Sequence, residues 1–103
     1  MKLIENLSDM IAEELDGAKH YIKCSLKHKD EHRSLAETLY NISLDEMRHM
    51  NLLHSEVVKL IEQYRREKGD PPADMLAVYD YLHNKEIEKA GEIKAMQTMY
   101  KDT

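Results

Sequence analysis

Only two short segments interrupt an otherwise continuous helical pattern across the 103 residues of this chain. They are Lys27-His28-Lys29-Asp30 and Gly69-Asp70-Pro71-Pro72. Glycine accepts the backbone that closes a helix, and proline at a helix start gives up an N–H that has no partner there. Asp30 and Asp70 read as N-caps and Gly69 as a C-cap, with Glu31 in the first turn of the second helix. Arg65, Arg66 and Lys68 stand before Gly69, where positive charge favours a helix C-terminus. The spacing predicts helices over about 3–28, 31–68 and 72–101, the second about 55 Å long at 1.5 Å per residue. So few breaks leave few choices: one all-α domain over residues 1–103, two long antiparallel helices plus a third.

Composition fits that frame. Charged residues make up 34% and apolar ones 42%, with no Trp and no Phe. Long amphipathic helices suit such a chain, with Leu, Ile, Met and Tyr filling a narrow stripe. A core that thin is expected to be completed by a second copy. The net charge of -5 and the lack of a basic stripe argue against nucleic acid. A single cysteine, Cys24, forms no internal disulfide and fits a reducing cytoplasm. The first helix carries acids every few residues, unlike a signal peptide, and no stretch approaches the roughly 20 apolar residues of a membrane span.

The apolar stripes contain a conflict. On helix 1 the stripe reads Leu7, Ile11, Glu14, Ala18, Tyr21, Ser25. On helix 2 it reads Leu35, Leu39, Ile42, Glu46, His49, Leu53, Val57, Leu60, Tyr64. Glu14, Glu46 and His49 thus fall on faces that should be buried, where an uncompensated carboxylate costs several kcal/mol or takes up a proton. A bound cation is one form of compensation. Glu46-Met47-Arg48-His49 is a Glu-x-x-His, whose i, i+3 spacing puts carboxylate and imidazole about 5–6 Å apart on one face. Counted from the turn near residues 29–30, Glu14 and Glu46 lie about 16 residues up their helices, nearly level. One hairpin supplies Glu, Glu and His. Two hairpins about a two-fold axis supply four carboxylates and two imidazoles, the donor set of a di-metal carboxylate site.

Glu14-Leu15-Asp16-Gly17-Ala18-Lys19-His20-Tyr21 resembles the first metal-binding helix of the ferritin-like and rubrerythrin-like proteins. Asp45-Glu46-Met47-Arg48-His49, followed by Leu52-Leu53-His54, resembles their second. The resemblance covers roughly residues 8–64. Full-length members carry this two-helix unit twice, whereas helix 3 here has Lys89 and Lys94–Ala95 where a second Glu-x-x-His would stand. The resemblance therefore implies a half-bundle, similar to the short encapsulated ferritins, completed to a four-helix core by dimerisation. It further implies iron at the shared site, two ions per dimer with manganese as an alternative, and ferroxidase, oxidase or peroxide-reducing chemistry. The competing expectation is a metal-free helical interaction module, in which Glu46 and His49 fix helix register and Glu14 pairs with a cation.

The remaining candidates are weaker. Glu13 points about 100° off the stripe. Glu86 falls level with residue 55, about 14 Å from Glu46, and is expected beside His54 and His83 in a structural polar cluster. Glu92 is level with His49 but off the stripe, so it is at most a ligand or support of last resort. Tyr21 is either a hydrogen-bond partner of a ligand carboxylate or a core tyrosine. Met47, Met50, Met96 and Met99 read as gap-fillers, and Cys24 as a small buried residue. Gly17 and Gly91, both mid-helix, read as points of close helix approach.

Overall fold

The structure, a computed structural model, describes residues 1–102. Three helices make up the fold: α1 (Lys2–His28), α2 (Arg33–Lys68) and α3 (Ala73–Asp102), with no strand among the described residues. The molecule is 56 Å long, the length set by α2. Among the described residues, no helix is long and apolar enough to cross a membrane.

Both expected aspartate caps are absent. Lys29 keeps right-handed helical angles, and the His32 N–H reaches His28 O at 2.9 Å, so the backbone carries itself round the turn without Asp30. α2 starts at Arg33, with His32 in the N-cap position and no side-chain cap. At the second break Gly69 adopts φ 82°, strained for any L side chain, and donates its N–H to Arg65 O at 3.0 Å. Asp70 instead faces Arg65 at 3.8 Å. Pro72 O receives the Leu76 N–H, and the Asp74 carboxylate receives the Met75 N–H at 3.0 Å.

α1 and α2 form a tight antiparallel hairpin along a seam of small residues. Ser25 Oγ donates to Ala36 O at 2.6 Å and Ser43 Oγ to Ala18 O at 2.7 Å, and all four residues are fully buried. Small side chains let the two backbones come this close, and each hydroxyl is satisfied by a carbonyl of the facing helix. Gln97 Nε2 of α3 donates to Ser43 Oγ at 3.0 Å, extending the same network. Around it pack Ile11, Leu15, Ala18, Met47 and Ile93.

The packed stripe is rotated from the expected one. On α1 it is Ile4, Ile11, Leu15, Ala18, Ile22 and Ser25, with Leu7 and Tyr21 only half-buried. On α2 it is Ala36, Ser43 and Met47, while Leu35 is 48% exposed and Leu39, Ile42, Leu53, Leu60 and Tyr64 are half-buried. Small residues won the contact because they permit the closest approach. Leu35, Leu39 and Ile42 were left along one edge of the hairpin, while Leu53 packs on the core and Leu60 and Tyr64 line a pocket with Met75 of α3. α3 lies on the opposite edge, mainly against α1, through a Lys19–Glu92 pair at 3.1 Å and a Lys89–Asp16 pair. Asp16 and Lys19 are two and five residues beyond Glu14, about 160° and 140° round the helix at 100° per residue. Glu14 therefore faces away from α3.

Ser43 serves both as donor to α1 and acceptor for α3, so its loss should be felt by the whole fold. Ser43→Ala is expected to destabilise by about 1–3 kcal/mol in denaturant unfolding, since Ala18 O and the Gln97 amide lose a buried partner. Ser55→Ala, which removes only an exposed bond to Asn51 O of the same helix, should change stability by less than about 0.5 kcal/mol.

Candidate metal centre

The hairpin register set by the serine seam brings Glu14, Glu46 and His49 together. Ligand atoms of the three lie within 4.8 Å of one another, and all three residues are half-buried. His49 Nδ1 stands 3.4 Å from Glu14 Oε2, with side-chain exposures of 44% and 26%. Glu14 Oε2 is itself buried and has no hydrogen-bond partner among the described residues. His49 offsets that oxygen's charge only when protonated. Glu46 is held above the ordinary carboxylate range, first by a hydrogen bond shared with Glu14, then by burial and by the Glu14 charge; His49 acts in the opposite direction. The cluster is a negative site that favours a proton or a cation.

Gly17 makes room for this arrangement. A Cβ at Gly17 would lie 3.3 Å from Glu46 Oε2, so the missing side chain lets the Glu46 carboxylate lie against α1. The expected close approach at Gly17 is thus made by a ligand-type side chain rather than by a helix backbone. Gly91 shows no close approach at all: nothing lies within 4 Å of a Cβ placed there. The signal for Gly17 was its position one turn beyond Glu14.

The other candidates lie elsewhere. Glu13 is exposed, and Glu92 is occupied by Lys19 on the outer face. Glu86 sits in the cavity next to His54 and His83, whose rings stack at 5.0 Å. Burial lowers the His54 pKa, with His83 adding to the effect, and burial raises that of Glu86 against the pull of His83. Tyr21 sets its ring edge against His20 at 5.9 Å. Met47 is a buried core residue, Met50 and Met96 are half-buried, Met99 is exposed, and Cys24 is half-buried rather than buried.

Compared with family models, curated proteins and solved structures, the chain has no significant match.

Two outcomes follow from this geometry. Gly17→Ala gains up to about 1 kcal/mol of helix propensity. It should nevertheless weaken divalent-metal binding about tenfold by pushing the Glu46 carboxylate away. Unchanged affinity in metal titrations would contradict the role given to Gly17. For His54, the folded-state pKa lies below the unfolded value of 6.5, so the unfolded chain binds the proton more readily. Stability is then full above that value and falls as pH drops through it. His54→Phe, which keeps a stacking ring, should flatten the loss of melting temperature between about pH 7 and pH 5.

Proposed function

We propose that the protein is a ferritin-like half-bundle that binds redox-active metal, iron first and manganese as an alternative, at Glu14, Glu46 and His49. The single observation that carries this reading is the buried Glu14 Oε2, which has no hydrogen-bond partner among the described residues. It lies in a cluster where Glu14 and burial hold the Glu46 carboxyl above the ordinary carboxylate range. Carboxylate oxygens with one imidazole suit iron or manganese better than soft-metal sites do. A second copy completes the site. The face turned away from α3 carries exposed Leu3, Met10 and Leu35 beside half-buried Leu7, Leu39 and Ile42. Two such faces about a two-fold axis would cover this edge and place four carboxylates and two imidazoles at one centre.

In that homodimer the carboxylates of Glu14 and Glu46 and the imidazole of His49 would hold the ions. The bound pair would supply electron transfer to oxygen or peroxide, the chemistry of a ferroxidase, oxidase or peroxide reductase. Partial exposure of His49 leaves the site reachable from solvent. The single cysteine is in keeping with a reducing cytoplasm.

A second reading is favoured by the 3.4 Å approach of His49 Nδ1 to Glu14 Oε2. If His49 is protonated, the cluster is a structural ion pair inside a metal-free interaction module. Melting with chelator and with added Fe²⁺ or Mn²⁺ separates the two. Metal at 100 times its dissociation constant should stabilise by about 2.7 kcal/mol per site. Glu46→Ala and His49→Ala should abolish this gain while Glu13→Ala and Glu86→Ala retain it. A wild type that melts identically with and without metal, together with loss of apo stability in Glu46→Gln, establishes the structural pair instead.

A further inference from the structure

α3 leans on α1 and stands off α2, which leaves a groove of about 620 Å³ between α2 and α3. The floor is apolar, made by Leu44, Met47 and Met50 of α2 with Ile87 and Ala90 of α3. Ile87 is 55% exposed although it is a large aliphatic residue in mid-helix. Between the levels of Leu44 and His54 the groove runs about 15 Å. Gly91 stands on its wall, and no neighbour within this chain accounts for a glycine there. In mid-helix that residue costs about 1 kcal/mol relative to alanine.

The two ends of the groove differ in charge. Lys94 stands toward the Leu44 end, one turn from the Gln97 that bonds Ser43, and Arg48 follows about 6 Å further along α2. Arg48 makes an exposed 3.4 Å contact with Asp45, and Lys94 forms no ion pair among the described residues. The other end holds the His54–His83 stack and Glu86. Such a volume falls within the roughly 300–1,000 Å³ of small-molecule pockets.

We propose that this groove binds an elongated apolar molecule with a single anionic headgroup, the head held by Lys94 and Arg48 and the chain laid over Met47, Met50 and Ile87. The orientation follows from charge: Glu86 would repel an anion at the far end, whereas Lys94 gains the counter-charge it lacks. The chain would end against the two imidazoles, about 9 Å from Arg48 along α2 and about 16 Å from Lys94 along α3, the reach of a medium-length alkyl carboxylate. This site is separate from the Glu14–Glu46–His49 cluster: Arg48 and Asn51, which line the groove, stand about 160° and 140° round α2 from Glu46.

The test is calorimetric titration of the full chain, in chelator, with decanoate, decanol and decyltrimethylammonium below their micellar range. Decanoate is expected to bind once per chain, decanol about tenfold more weakly, and the cation not at all. Lys94→Glu is a surface change that leaves the fold intact by circular dichroism, and it should weaken decanoate about tenfold. Ala90→Phe, which fills the floor, should abolish binding while metal titration of the same variant stays at the wild-type affinity. Equal binding of decanoate and decanol, unaltered by Lys94→Glu, overturns the headgroup assignment. No binding by wild type, or a change of oligomeric state in Ala90→Phe, overturns the proposal and makes the groove a protein contact. Because the titrations run without metal, these failures leave the reading of the metal centre untouched.

Discussion

Everything in this molecule depends on how closely α1 approaches α2. Ser25 and Ser43 each donate to a carbonyl of the facing helix, and Ala36 and Ala18 leave the space for them to do so. A hydroxyl-to-carbonyl bond between helices tolerates little sliding, because a shift of one residue moves the partners by about 1.5 Å along the axis and 100° round it. Two such bonds, roughly two turns apart along the hairpin, fix depth and rotation together. That register brings Glu14 level with Glu46 and turns both away from α3. Gln97 then ties α3 to the same serine, so the third helix reports on the seam rather than creating it.

The cost of this geometry falls on the carboxylates. Two acids share a half-buried space with one imidazole, and one carboxylate oxygen has no hydrogen bond among the described residues. Gly17 deepens the crowding by letting Glu46 settle against α1. An arrangement selected for stability alone would replace one acid with an apolar or neutral residue, as replacement of buried ionic groups is often neutral or stabilising. The cluster makes physical sense if a cation completes it, and that is the core of the functional proposal.

Much of this was legible in the sequence, and the limits have physical causes. The two breaks located all three helices because Gly69 and the prolines restrict the backbone directly. The pairing of Glu14 with Glu46 and His49 followed from helical rise and the short turn. The cap assignments to Asp30 and Asp70 failed because the backbone closed both turns through its own N–H groups. The apolar stripe was misplaced by part of a turn. A pattern that ranks residues by size selects Leu35 and Leu39, whereas the hairpin buried Ala36 and Ser43 to gain proximity. The edge it highlighted is the one left open. The groove beside α3 was hidden because α3 is apolar on several sides and has no single face to read.

The central claim is that this hairpin holds metal through Glu14, Glu46 and His49 at a centre shared by two copies. Anomalous diffraction at the iron or manganese edge, from crystals grown with that metal, tests it most directly. The account predicts two peaks about 3.5–4 Å apart, related by a two-fold axis that runs between them, each beside a His49 from a different copy. No anomalous density at the cluster, with His49 and Glu14 remaining in direct contact at full metal loading, would contradict it.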